Sequence, residues 1–188
     1  MDVKEAIQKR RAYRSLAPVP ITDELIADLA SCAQLSASCF NNQPWQYVFV
    51  YGPDVLKEMH EALSKGNEWA KKASMIIVVL GNQEDDCVIY DRIYYRFDIG
   101  MATAIMILRA TELGLVAHPI AGYSPKKTRA ILDIPDTLDV IALVIVGKHA
   151  ETIDSLLSDK QRNAEQERPP RKKRDEFVYI NRYTSKKN

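Results

Sequence analysis

Long hydrophobic runs, glycine-rich phosphate loops and paired-cysteine motifs are all missing from this chain of 188 residues. The longest apolar stretches stop far short of the ~20 residues that a bilayer span needs, and the opening MDVKEAIQKRR has no apolar core of a signal peptide, so no membrane association is expected. No GxGxxG follows a strand-like run, which argues against a separate dinucleotide-binding domain. Cysteine occurs three times, at Cys32, Cys39 and Cys87, an odd number without CxxC spacing. That usage predicts reduced thiols in a reducing cytoplasm, with neither a disulfide scaffold nor a metal site. A net charge of +1 supplies no field of one sign that would draw the chain to nucleic acid or to an acidic membrane. The histidines His60, His118 and His149 are isolated in sequence, and no catalytic acid or base is assigned. Internal repeats and low-complexity tracts are absent as well.

What is present suffices for one domain, 1–188. The chain is 46% hydrophobic, and a chain of this size buries roughly 70% of the surface it exposes when unfolded. Asp2 with Glu5 resembles a capping box, and Val3, Ala6 and Ile7 share a face, which predicts a first helix to about Arg11 that Pro18 and Pro20 end. Thr22 is the N-cap of a second helix with Leu25, Ile26, Leu29 and Ala33 on its apolar stripe. After an irregular polar stretch from Ser36 to Pro44, YVFVY (47–51) reads as a strand. Pro53 opens a helix that Gly66 closes, and MIIVVL (75–80) reads as a buried strand. The segment 91–113 is apolar nearly all round between Ile99 and Leu108, which predicts a central helix covered on every side and ended by Gly114. Val116–Ile120 reads as a strand, Ser124 and Pro125 open another helix, and VIALVIV (140–146) is the last core strand.

About forty residues, 148–188, follow that strand, and only FVYI (177–180) is strand-like. Two readings stand side by side: an extension that embraces a second subunit and adds a strand to its sheet, or a charged tail without fixed structure.

The chemistry lies in four short segments. RRAYR (10–14) and RKKR (171–174) are basic clusters near opposite chain ends. Arg10 and Arg14, four residues apart, would share a helical face with Arg11 pointing aside. Such a cluster is an anion site or a solvated helix end, and the second cluster favours the anion: a phosphate with about two negative charges could be gripped from both. In SCFNNQPW (38–45), Ser38, Asn41 and Gln43 offer the mixed donors and acceptors that match the edge of a flavin pyrimidine, or else make an Asx-type loop. In PIAGY (119–123), Gly122 allows a main-chain N–H to approach a ligand closely, or is a plain turn residue.

In their order and spacing RRAYR, S-x-x-N-x-Q-P-W, the Asp98-Ile-Gly100 start of the long helix's small-residue stretch, PIAGY and the C-terminal basic run resemble the nitroreductase family over nearly the whole chain. The resemblance implies an α+β fold with a central, mixed but mostly antiparallel sheet flanked by helices. It further implies an intertwined homodimer whose C-terminal strand is exchanged to the partner, residues 148–188 being the embracing extension. FMN would bind at the subunit interface, held at phosphate and ribityl by Arg10 and Arg14 with Arg11. Ala12, standing where the family usually has Ser, would contribute only its backbone. Ser38, Cys39 and Asn41 would approach the flavin from the other subunit, supported by Gln43. Ala121 and Gly122 would present backbone to the N5 side, and Arg171 and Lys173 would complete the phosphate site. The implied activity takes hydride from NADH or NADPH and passes electrons to a small acceptor such as a nitroaromatic or a quinone. Reductive dehalogenation, an oxidase reaction and a non-catalytic FMN-binding module are alternatives on the same site.

Overall fold

The computed structural model describes residues 1–184. Helix α1 spans Val3–Lys9 behind a reciprocal capping box, in which Glu5 N donates to Asp2 Oδ1 at 2.7 Å and Asp2 N to Glu5 Oε2 at 3.0 Å. A two-residue strand, β1 (Leu16–Ala17), leads to α2 (Asp23–Gln34), where the Thr22 hydroxyl accepts from Leu25 N. Strand β2 (Gln46–Val50) and helix α3 (Pro53–Met59) follow, then irregular helical turns up to β3 (Met75–Gly81). A small hairpin of β4 (Val88–Ile89) and β5 (Arg92–Ile93) precedes the long α4 (Tyr95–Glu112). Strand β6 (Leu115–Ile120), α5 (Pro125–Leu132), β7 (Asp139–His149) and α6 (Asp159–Gln166) complete the order.

Strand β7 organises the main sheet. It pairs antiparallel with β3, β6 and β1, while β2 pairs antiparallel with β3 at an edge. Every pairing among the described residues is antiparallel. Alternate residues of β3 explain its unbroken apolar run: Ile76, Val78 and Leu80 enter one core with Met59, Trp69, Leu143 and Leu157, whereas Met75, Ile77 and Val79 enter another with Leu29, Ile99, Met106 and Val144. A strand buried on both faces has no position for a polar residue. Gly81 ends β3 where α4 presses closest, since a Cβ there would lie 2.2 Å from Ile99 Cδ1.

Five features differ from the sequence reading, each for a tertiary reason. Helix α1 stops at Lys9, and Arg10 takes φ −54°, ψ 120°. RRAYR is therefore not helical, and partners from the far end of the chain replace the helical bonds. Glu165 Oε1 accepts from Arg14 N at 2.7 Å and Oε2 from Ser15 N at 3.2 Å, while the Arg168 guanidinium donates to Gln8 O at 2.5 Å and Arg10 O at 2.9 Å. The β4–β5 hairpin occupies the stretch before the long helix, which starts four residues later than Asp91. Residues 150–168 do have room in their own subunit. Asp154 and Leu157 are buried, Ser15 Oγ accepts from Asp154 N at 3.0 Å, and α6 opens on a Ser158–Gln161 capping box. Residues 177–180 form no strand in the single chain and expose Phe177 and Ile180. Finally, Cys39 and Cys87 are bonded as a disulfide, with Cα atoms 6.1 Å apart, and only Cys32 is free. Parity and spacing carry no information on that pair, because folding joins residues 48 apart.

Glu165→Ala should strip two main-chain N–H groups of their acceptor and destabilise the fold by about 2–4 kcal/mol in urea unfolding, with Glu165→Gln losing less because its amide oxygen still accepts. A loss under about 0.5 kcal/mol for the alanine variant would show that the carboxylate does not hold the N-terminal segment.

Candidate cofactor site

The RRAYR segment and α6 face each other across a cavity of about 550 Å3 lined by Arg10, Arg11, Ala12 and Arg14 from one end of the chain and by Lys160, Arg168 and Arg171 from the other. Arg10 and Arg14 thus line one cavity although the segment that joins them is not helical. None of Arg10, Arg14, Arg168 or Arg171 forms an ion pair with a carboxylate among the described residues. Partial burial and the adjacent charges of Arg168, Arg171 and Arg11 all press the Arg10 pKa downward. Burial also lowers that of Arg14, with Glu165 acting against it. Arginines gathered against their mutual repulsion present the kind of donor set that an anion with several oxygens can satisfy. Arg11 is differently engaged: it donates to Ala164 O at 2.7 Å and sits 4.8 Å above the Tyr13 ring, closing the C-terminal end of α6. Lys173 does not line the cavity; its main-chain N donates to Glu176 Oε1 in a short turn.

The core behind Arg14 is aromatic. Arg14 Cζ lies 5.9 Å from the Trp69 ring, which stacks on His118 at 4.9 Å. His118 Nδ1 is 3.0 Å from Tyr13 O, and burial, opposed by that contact, drops its pKa to about 4, so the ring is neutral at pH 7. Trp69 Nε1 donates to Asn67 Oδ1, and Asn67 Nδ2 donates to Gly122 O at 2.9 Å. The β6 end carrying Ala121 and Gly122 is thereby linked to Arg14 through Asn67 and Trp69. A Cβ on Gly122 would lie 2.2 Å from Asn67 Nδ2, so a close side chain already accounts for the glycine.

Ser38, Cys39 and Phe40, at the start of the loop 38–43, line a different cavity, of about 380 Å3, with Phe97, Asp98 and Met101 of α4. Phe40, Asn41 and Gln43 have φ of 48°, 60° and 54°, left-handed backbone that costs energy in residues with a Cβ. Three contacts hold them: Gln43 N donates to Ser38 Oγ, Gln43 Nε2 donates to Asn41 O, and Cys39 N donates to the buried Asp98 Oδ2 at 2.6 Å. Burial pushes the Asp98 carboxyl pKa up, the bond from Cys39 opposes this, and neighbouring Asp86 adds to it. Within one chain, Ser38 and Cys39 are thus not brought to the arginine cavity.

The sequence profile of the Nitroreductase family matches residues 7–148. The chain belongs to the nitroreductase family. A protein of Archaeoglobus fulgidus named as an NADH dehydrogenase/NAD(P)H nitroreductase is 30% identical over 161 residues, covering 84% of this chain and 91% of its own. An NADH dehydrogenase of Thermus thermophilus is 26% identical over 182 residues, covering 80% of this chain and 88% of its own. Among solved structures, an oxidoreductase described as containing FMN superposes with a TM-score of 0.81 at 27% identity, covering 99% of this chain and 95% of its own. A nitroreductase family protein of Clostridium novyi NT, at 24% identity and a TM-score of 0.75, shares the fold and covers 80% of this chain and 87% of its own. This member of the nitroreductase family has an α+β architecture, and no helix among the described residues is long and apolar enough to cross a membrane. Sequence reasoning missed Lys160, Glu165 and Arg168; the Ser158–Gln161 capping box was the signal that could have exposed α6 and with it all three.

His118 makes the fold acid-sensitive. Its folded pKa of about 4 lies below the ordinary 6.5, so between those values only the unfolded chain binds the proton. Stability present in full above pH 6.5 should therefore fall by about 3 kcal/mol as pH drops to 4. Urea midpoints at pH 7 and pH 4.5 should converge in His118→Gln relative to the natural chain, and an unchanged pH slope in the variant would remove His118 as the cause.

Proposed function

We propose that this nitroreductase is an FMN-dependent oxidoreductase that takes electrons from NADH or NADPH and delivers them to a small acceptor such as a nitroaromatic or a quinone. One observation carries the reading: arginines drawn from both ends of the chain crowd one cavity, and none of Arg10, Arg14, Arg168 and Arg171 is ion-paired to a carboxylate among the described residues, although Glu167 also lines it. A phosphate monoester, dianionic at pH 7, fits that donor set. Bound FMN supplies the two-electron chemistry, accepting hydride from the nicotinamide and returning electrons to the acceptor. The protein binds and orients. Arg10, Arg14 and Arg171, joined by Arg168 and Lys160, hold the phosphate; Arg11 and Ala12 border it, and Lys173 stands outside it. Asn67 and the main chain of Ala121 and Gly122 offer donors and acceptors along the same wall. No side chain is assigned as a proton donor or base.

The enzyme works as a homodimer in this reading. Helix α4 leaves Phe97, Gly100, Ala104 and Ile105 uncovered in the single chain, a stripe of apolar and small residues on a helix otherwise sunk in the core. Phe177, Ile180 and Tyr183 of the tail are likewise exposed, at 59%, 74% and 75%. A second copy covers both, its tail laid against this subunit. The loop bearing Ser38, Cys39, Asn41 and Gln43 borders the α4 stripe, and so faces the partner's cofactor. Dependence on NADH or NADPH puts the enzyme in the cytoplasm.

The FMN-loaded protein should show flavin absorption that bleaches anaerobically with NADH or NADPH. Arg10→Ala should weaken FMN by about tenfold to a hundredfold and leave riboflavin, which lacks the phosphate, nearly unchanged. Equal losses for both ligands would remove the phosphate assignment, and a yellow protein that neither nucleotide bleaches would be a non-catalytic FMN-binding module.

Removing residues 175–188 takes away the exposed apolar tail but keeps Arg171. The shortened chain should sediment as monomer at concentrations where the full chain is dimeric. A dimer of undiminished stability would exclude the tail from the interface.

A further inference from the structure

We propose that Cys39 and Cys87 form a reversible dithiol–disulfide couple that sets the conformation of the strained 38–43 loop. The sulfurs of Cys39 and Cys87 and a carboxylate oxygen of Asp86 lie within 4.8 Å of one another, and both cysteines are half-buried. Asp86 is 9% exposed, and its Oδ2 has no hydrogen-bond partner. Its Oδ1 accepts from Asn42 Nδ2 at 3.3 Å and lies 3.5 Å from Cys87 Sγ. A buried carboxylate short of donors is costly. In the disulfide, Cys87 has no proton to give; as a thiol it donates to Asp86. Reduction thus adds a second donor, beside Asn42, to Oδ1 of a buried carboxylate whose other oxygen has none, and a couple whose reduced form is stabilised in this way is open to thiol–disulfide exchange, unlike a purely structural bridge. The reaction balances with a small-molecule thiol. Its thiolate attacks one protein sulfur, a second thiol displaces the mixed disulfide, two protein thiols and one small disulfide result, and the thiol protons pass to Cys39 and Cys87.

The consequence falls on the loop. Its left-handed residues Phe40, Asn41 and Gln43 follow Cys39 directly, and the cross-link to Cys87 anchors that end of the loop to the segment that leads into α4. With the link open, the Asp98 bond to Cys39 N, the Asn42 bond to Asp86 and the internal bonds of the loop are what oppose its relaxation. The couple stands on the thiol chemistry alone and does not require the FMN reading.

The test counts thiols in the folded full-length protein by alkylation and mass spectrometry across glutathione buffers. The oxidised protein should alkylate only at Cys32. Dithiothreitol should raise the count to three, and oxidised glutathione should return it to one. Amide hydrogen exchange over residues 38–43 should quicken by about tenfold on reduction. Cys87→Ser, whose hydroxyl can still donate to Asp86, should fold and exchange at the reduced rate in every buffer. Three alkylated thiols in all buffers would mean that the bond does not form, and one thiol even under dithiothreitol would mean a fixed structural bridge. Zinc retained stoichiometrically by the reduced protein would make the cluster a metal site. Loop exchange that is equal in both states would remove the conformational role. Each of these four results overturns the proposal.

Discussion

The buried carboxylate of Glu165, reaching from the C-terminal helix to the main chain of Arg14 and Ser15, is the contact on which the cofactor cavity depends. A carboxylate withdrawn from water is tolerated only where donors surround it, and Glu165 collects two N–H groups together with His149 Nε2 at 3.5 Å. Those bonds hold RRAYR out of helical form and fix α6 beside it, with Arg11 and Arg168 tying the same two segments in the reverse direction. Residues some 150 positions apart in sequence thereby become the walls of one cavity. The repulsion among Arg10, Arg168 and Arg171 weighs against folding, and the contacts of Glu165 and the core beneath offset it.

The sheet contributes rigidity behind that wall. Strands β3 and β7 are buried on both faces, so the β6 end bearing Gly122 and the aromatic pair of Trp69 and His118 are backed by a core that cannot shift without opening cavities. The opposite side is unfinished. Helix α4, sunk in the core along most of its surface, shows an apolar stripe outward, and the strained 38–43 loop stands beside it. One side of the molecule carries the arginine cavity and the other an uncovered apolar stripe.

Local chemistry was legible wherever a few neighbouring residues decide the outcome. Asp2 with Glu5, Thr22, and Ser124 with Pro125 cap helices where their patterns place them, because a cap is a contact between residues two or three apart. The runs 75–80 and 140–146 are strands because no other element so short can bury an unbroken β-branched segment. The gathering of Arg10, Arg14 and Arg171 could be inferred because like charges at both chain ends have a common use in gripping one anion.

Other features were beyond the pattern's reach, and the reason is the same in each. RRAYR has the spacing of a helical face, yet it is not helical, since Glu165 and Arg168 offer its backbone better partners than its own turn does. The pairing of Cys39 with Cys87, the crowding of Asn67 against Gly122 and the packing of residues 150–168 on their own subunit all join residues distant in the chain. By itself the sequence determined the capped helices, the buried core strands with their apolar faces, and the two basic clusters. The tertiary structure alone decided which carboxylate neutralises which buried N–H and which cations share a wall, because those choices depend on distances that close only when the core does.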